Sequence, residues 1–387
     1  MKAAVLFVAL VILGCAAIWA QSARRKPEQN SKAPQTTPKS SLTSDPTLMR
    51  AVEKGARWLA SVQGTDGGWG QDGGDPSNVR TSVALESQGN DVANTALGAL
   101  ALLRAGDKYR TNVERAVDFI LQRVEASPVD GLSIADTNRQ TQVQRKLGPY
   151  IDTFLASMLL AQVDGIFAKA RNVRVRSGLE KCVAKIQKNQ TKDGSWNVGG
   201  GWAPLLGTSL ASRSLYAAQQ KGVAVSQHVL AQADEYTVKN QQSRDSIGGV
   251  GAGTGVGRAT ESVEVVSAAA GVALYQDAQA LEQLSRTPES RQKNAKEIAA
   301  INGKLADTKF LEGYGSIGGE EFFSYLNISD GLKRSGGKEW ADWYSKTSEK
   351  ILKLQNEDGT WAGHHCITGR VAVTSAAILN LTANYES

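Results

Sequence analysis

With 387 residues, 41% of them hydrophobic and 21% charged, the chain has the composition of a globular protein, and it is long for one compact core unless repetition extends that core. The formal net charge is +6, but residues 1–46 hold six basic residues (Lys2, Arg24, Arg25, Lys26, Lys32, Lys39) against Glu28 and Asp45, so +4 belongs to that end and +2 to the rest. So weak a charge on the remainder gives no support to an electrostatic nucleic-acid surface, and no nucleic-acid partner is expected.

Lys2, the apolar run Ala3–Leu13 and the small residues after it have the layout of an export signal. Cleavage after Ala20, with Ile18 and Ala20 at the specificity positions, would leave a chain starting at Gln21. Two other readings stay open: Ile12-Leu13-Gly14-Cys15 resembles a lipobox, and Ala3–Ala20 is about as long as a short membrane anchor. All three export the remainder of the chain, to the periplasm, the cell surface or the medium. Residues 1–20 are therefore assigned as signal peptide or anchor, with membrane contact only through this segment if it stays uncleaved or lipidated. Residues 21–44 are Pro, Ser, Thr, Gln, Lys and Arg with almost nothing to bury, which is the composition of a disordered linker.

Order begins at Asp45-Pro46, an N-cap followed by proline in the first helical turn. From there, long charged helices of an outer type are expected near 46–63, 111–125, 174–190, 226–242, 288–304 and 340–355. Thr111 and Glu114 have capping-box spacing, and Thr287-Pro288 opens the fifth. Shorter inner helices rich in Ala, Ser, Thr and Leu alternate with them, near 91–105, 150–163, 205–221, 261–278, 320–333 and 371–382. Six pairs result, and the pattern is all-α. Large open arrays tile more regularly than this, so a closed double ring over residues 45–387 is expected.

Three turns in this series share one spelling, Q-x-x-D-G-x-W: Gln63, Asp66, Gly67 and Trp69; Gln190, Asp193, Gly194 and Trp196; Gln355, Asp358, Gly359 and Trp361. Internal repetition of this kind decides the architecture. The glycine supplies the backbone freedom of an abrupt helix exit, the aspartate bonds local amides, the tryptophan covers the gap between hairpins, and the glutamine bonds free backbone groups. Lys54, Gly55, Trp58, Leu59, Gln63, Gly67 and Trp69 together resemble the QW motif of the terpenoid cyclase and protein prenyltransferase superfamily. The second and third copies carry Lys185 and Lys350 where Trp58 stands. The resemblance implies an α/α toroid of about six helical hairpins, with the motif as scaffold.

The resemblance also implies where chemistry would sit, at the ring mouth lined by inner-helix N-termini. Squalene-hopene-type cyclases carry D-x-D-D-T-A there, the middle Asp being the proton donor. Here Asp91-Val92-Ala93-Asn94-Thr95-Ala96 keeps the frame and has Ala93 in place of that acid; Ile151, Leu206 and Ala372 occupy it in other units. Prenyltransferases hold zinc through Asp, Cys and His, and the matching places are Glu320, Phe322 and Val373. Neither catalytic set is present, so no cofactor and no metal are assigned.

The cavity candidates are Asp91, Tyr150, Asp152, Trp202, Glu261, Glu320, Glu321, His364 and His365. Singly, such residues are more often core or N-cap, and Asp91 is a good N-cap for its helix. His364-His365-Cys366 has metal-ligand chemistry, but three consecutive residues do not readily face one ion and a site there would need outside carboxylates such as Glu320 or Glu321, so a turn with a satisfied histidine and a buried cysteine is the simpler reading. Gly248–Gly257 resembles a phosphate loop in composition only and is expected as the turn of the fourth hairpin. Cys182 and Cys366 would bridge only if two distant repeats met. The expected function is an exported, squalene cyclase/prenyltransferase-like binding domain for a small-molecule or protein ligand. The alternative is an enzyme with rewired chemistry in the cavity, acting on lipid or terpenoid, or on carbohydrate through paired carboxylates.

Overall fold

The outer helices form because their apolar residues recur on one face, and α1 (Pro46–Ser61) is the clearest case. It buries Leu48, Ala51, Val52, Ala56 and Leu59 and leaves Arg50, Lys54 and Arg57 in solvent. Its start is as expected, the Asp45 carboxylate accepting the Thr47 amide at 2.8 Å ahead of Pro46. The inner helices bury every side instead. In α2 (Val92–Ala105) each residue from Val92 to Leu102 is buried, the pattern of a helix with neighbours all round.

The computed structural model describes residues 45–71, 89–135, 141–198, 204–247, 270–313 and 317–385. Among them the outer elements are α1, α3 (Arg110–Ala126), α6 (Lys169–Lys188), α8 (Gln227–Ile247), the broken pair α10 (Pro288–Lys293) and α11 (Ala295–Lys304), and α14 (Gly337–Lys353). The inner elements are α2, α5 (Ile151–Val163), α7 (Pro204–Gln220), α9 (Ala270–Leu284), α13 (Gly319–Ser335) and α15 (Arg370–Leu381). Two short helices, α4 (Gln142–Leu147) and α12 (Thr308–Leu311), lie in connections. Each inner helix packs on the next, α2 on α5, α5 on α7, α7 on α9, α9 on α13, α13 on α15, and α15 returns to α2. The inner ring is closed, and α1 packs on both α15 and α14, so the first hairpin meets the last. The fold is an all-α toroid of six hairpins. Its extended backbone among the described residues is one two-residue bridge, β1 (Trp69–Gly70) antiparallel to β2 (Asn90–Asp91).

The three repeats have one geometry. Each indole N–H donates to a carbonyl in the last turns of its own outer helix: Trp69 to Leu59 at 2.8 Å, Trp196 to Ile186 and Trp361 to Ile351 at 2.7 Å. Each tryptophan amide donates to a threonine hydroxyl of the following inner helix: Thr95 at 2.9 Å, Thr208 at 3.4 Å and Thr374 at 2.9 Å. Tryptophan hydrogen bonding thus stays inside a hairpin. The glutamine crosses to the next one. Its amide donates to its own turn glycine and to a carbonyl of the next outer helix: Gln63 to Asn112, Gln190 to Val229 and Gln355 to Ala51, each at 2.9 Å. The turn glycines Gly67, Gly194 and Gly359 have φ near 90°, and a Cβ on the first two would lie 2.5 and 2.2 Å from carbonyl oxygens of Arg115 and Gln232 in the next outer helix. Only glycine meets both demands.

Some expectations need correction. Thr111 and Glu114 form no capping box: the chain enters α3 through a 3-10 turn at Asp107–Tyr109, and Glu114 pairs with Arg110 and Arg171. The fifth outer helix keeps its Thr287 cap but breaks at Asn294, whose side chain donates back to the Ser290 carbonyl at 2.8 Å. The fourth inner helix is described from Ala270 to Leu284, later than 261–278, and Gly248–Gly257 lies outside the described residues. Lys185, in an aromatic's place, is buried because its ammonium donates to the Gly131 and Ser133 carbonyls at 2.9 and 3.1 Å. Lys350 sits over the Tyr325 ring. Both lysines bury the stem and find partners for the charge.

Candidate functional site

The ring end formed by inner-helix N-termini is crossed by α4. This six-residue helix reaches four of them. Its Gln144 amide meets Asp91 and Asp152 at the starts of α2 and α5. The Leu147 carbonyl lies against Gly207 in α7, where a Cβ would come within 2.2 Å. The Gln142 side-chain oxygen accepts from the amides of Thr368 and Gly369 at the head of α15, at 2.9 and 3.2 Å. Gln71, just after the first repeat, accepts from the Gln142 amide. Thr141, Gln142, Val143, Gln144 and Leu147 are buried, an unusual load of amide side chains that is tolerated because each finds partners.

Asp91 and Asp152 form a bridged acid pair. Asp91 caps α2, accepting from the Asn94 amide and the Asn94 side chain at 2.8 Å each. Asp152 comes from the neighbouring hairpin and accepts from the Ala93 amide at 2.8 Å. Between them the Gln144 amide donates at 3.1 Å to each. Burial pushes the Asp152 carboxyl up to about 7, with the Asp91 charge adding to it, and burial raises Asp91 as well. Burial thus favours the protonated form at both carboxyls.

At the place of the cyclase acid the described units are apolar and buried: Ala93, Ile151, Leu206 and Ala372 are each at most 1% exposed. Phe322 and Val373, at the prenyltransferase Cys and His places, are buried too.

A second cluster stands at the head of α13. Glu321 accepts the Gly318 amide at 2.8 Å, closing the helix start as a capping-box glutamate does, and Tyr275 donates to its other oxygen at 3.3 Å. Glu320 accepts the Ile367 amide at 3.2 Å, and His365 and Cys366 bring a ring nitrogen and a thiol beside its carboxylate. Burial pushes Glu321 up to about 8, with the Glu320 charge adding to it. The two cysteines among the described residues are free thiols, Cys182 deep in α6 and Cys366 at this cluster.

The sequence candidates thus fall into two groups, Asp91 with Asp152 and Glu320 with Glu321 and His365. His364 is exposed, its amide donating to the Ile317 carbonyl at 2.9 Å. Tyr150 lines a shallow open pocket of about 530 Å³ with Arg123, Pro128, Leu132 and Ile134. Trp202 and Glu261 lie outside the described residues. Sequence reasoning missed Thr141, Gln142 and Gln144. Thr141-Gln142-Val143-Gln144 does spell a capping box, and the Gln144 side-chain oxygen accepts the Thr141 amide at 2.9 Å.

Residues 40–131 match the family model of the squalene-hopene cyclase C-terminal domain. A squalene–hopene cyclase from Bradyrhizobium diazoefficiens is 36% identical over 75 residues, which is 18% of this chain and 10% of the cyclase, so the match spans about a tenth of that relative's length. Among solved structures, a type II terpene cyclase from Scytonema in complex with its product merosterolic acid A overlaps 87% of this chain and 96% of its own, at 12% identity and a TM-score of 0.34. An apo form of that cyclase scores 0.32 over the same shares.

Proposed function

We propose that this chain, a member of the terpenoid cyclase family by its repeats and by the match over residues 40–131, is a divergent binding domain of that fold rather than a cyclase. One observation carries the reading. The acid position holds a buried Ala93, and the ring end where a substrate would approach it is crossed by α4. A hydrocarbon cannot be protonated by a methyl group, so the family's reaction has no donor there. The ligand is a small molecule or a protein, met outside the cytoplasm; Lys2 and the apolar run Ala3–Leu13 support export, and an N-terminal mass of the mature protein checks it.

The test has two arms. Purified protein is denatured and any co-purified ligand identified by mass spectrometry; separately, it is incubated with squalene, and with a prenyl diphosphate plus a thiol peptide. A bound ligand with neither product supports the reading. Cyclised or prenylated product overturns it.

A second reading has its own observation, the Asp91 and Asp152 carboxyls brought together on one Gln144 amide, where burial favours a bound proton. In an enzyme with rewired chemistry that proton is the acid. Product that appears with the native chain and vanishes in Asp152→Asn establishes it.

A further inference from the structure

We infer that Glu320, His365 and Cys366 form a binding site for one divalent metal ion of the zinc class. A carboxylate oxygen of Glu320, a ring nitrogen of His365 and the Cys366 sulfur all lie within 4.8 Å of one another. Zinc bonds of about 2.0–2.3 Å set tetrahedral donor atoms roughly 3.3–3.8 Å apart, so an inward movement of about an ångström brings the three onto one ion. Glu320 stands at the place that the family resemblance implies for the zinc aspartate, but the other two places carry the buried Phe322 and Val373, and the nitrogen and sulfur donors come instead from His365 and Cys366.

The donors are held before any ion arrives. Glu320 is 1% exposed in the first turn of α13, and its carboxylate is fixed by the Ile367 amide. The loop carrying the other two donors is fastened to the same helix head, the Gly319 amide donating to the Ile367 carbonyl and the His364 amide to the Ile317 carbonyl, each at 2.9 Å. The His365 ring rests on bare backbone: a Cβ on Gly318 would lie 2.6 Å from it. Cys366 has φ of 57°, the left-handed region, alone among the described non-glycine residues. Such a conformation is kept where the surroundings impose it, and here it belongs to a residue carrying a donor atom. The Glu321 carboxylate also neighbours the imidazole, Oε2 3.8 Å from Nε2.

One thiolate, one imidazole and one carboxylate favour zinc or cobalt over magnesium or calcium, which take oxygen donors. On binding, the Cys366 thiol forms a sulfur–metal bond and releases its proton to solvent. His365 and Cys366 both keep some exposed surface, so the fourth position opens outward to a water or to an incoming ligand.

The inference is independent of the binding-domain reading and is tested with the metal alone. The reduced protein is titrated with Co²⁺, following the near-ultraviolet thiolate-to-cobalt band, and then with Zn²⁺. One cobalt per chain is expected, displaced by zinc. Cys366→Ser should abolish the band, and His365→Ala, at a partly exposed side chain, should weaken binding at least ~10-fold with the far-ultraviolet dichroism unchanged. Cys182→Ser, at a thiol outside the cluster, should leave the band as it is. No band in the native protein, a band surviving in Cys366→Ser, or unchanged affinity in His365→Ala overturns the inference.

Discussion

The Gln355 side-chain amide donates to the Ala51 carbonyl at 2.9 Å across 304 residues of chain, making the bond that Gln63 and Gln190 make to the outer helix next after each of them. The last repeat treats the first helix as its successor. Replacing Gln355 with Ala strips a donor from both Ala51 and Gly359, and at a part-buried site this should cost about 1–3 kcal/mol in urea unfolding. A loss within the scatter of surface substitutions, about 0.5 kcal/mol, would mean that the bond is incidental to closure.

Trp361 and Gly55 form the apolar half of the same seam. A Cβ at Gly55 would stand 2.8 Å from the Trp361 ring. Gly55→Ala should therefore cost about 1–3 kcal/mol by overpacking, and Trp361→Ala about 3–5 kcal/mol by cavity formation. In the double variant the glycine penalty should shrink, since the ring it collides with is gone. Strict additivity of the two losses would disprove the contact.

The acid pair gives stability a pH dependence of definite sign. Asp152 is raised from its ordinary value of 3.8 to about 7, so between those values the folded state holds a proton that the unfolded chain has lost. That contribution is complete below the unfolded value and is lost as pH rises toward 7. Asp152→Asn keeps an oxygen for the Ala93 amide and cannot ionise, so its melting temperature should vary less over this window. Parallel profiles for native and variant protein would show that the carboxyl ionises freely in the fold.

Restoring the cyclase spelling should fail. Ala93 is 0% exposed, with its amide bonded to Asp152, so Ala93→Asp buries a carboxyl in a packed position with no partner shown for it. We expect a loss of about 3 kcal/mol or more in thermal unfolding and no cyclised product from squalene. A stable, active variant would show that position 93 opens onto usable space.

The ring was legible because the residues of Q-x-x-D-G-x-W each have a geometric task that no other residue type performs at that point. The indole N–H reaches back ten residues, the carboxylate turns the chain, the glycine clears the next helix and the amide grips it. The site was less legible. Asp152 reaches the Ala93 amide between neighbouring hairpins, and no spacing within one hairpin encodes that contact. Helix α4 is too short to show a period, and its buried amides read as polar connection until their partners are seen. His365 and Cys366 were visible as a pair, with Glu320 or Glu321 as the outside carboxylate a site there would need; what the sequence did not show is that the loop folds back onto the head of α13, about 45 residues upstream, and sets Glu320 beside them.

The seam also sets an order of assembly. The stripe Leu48, Ala51, Val52, Ala56 and Leu59 of α1 is made first in biosynthesis, yet its covers on α14 and α15 are made last. Until Trp361 arrives, one side of the opening hairpin has no partner, so the nascent toroid is an open crescent with an apolar flank. Such long-range closure slows folding, and the crescent is the species most exposed to aggregation and to proteases. The ring is therefore at its most vulnerable before its last hairpin is complete.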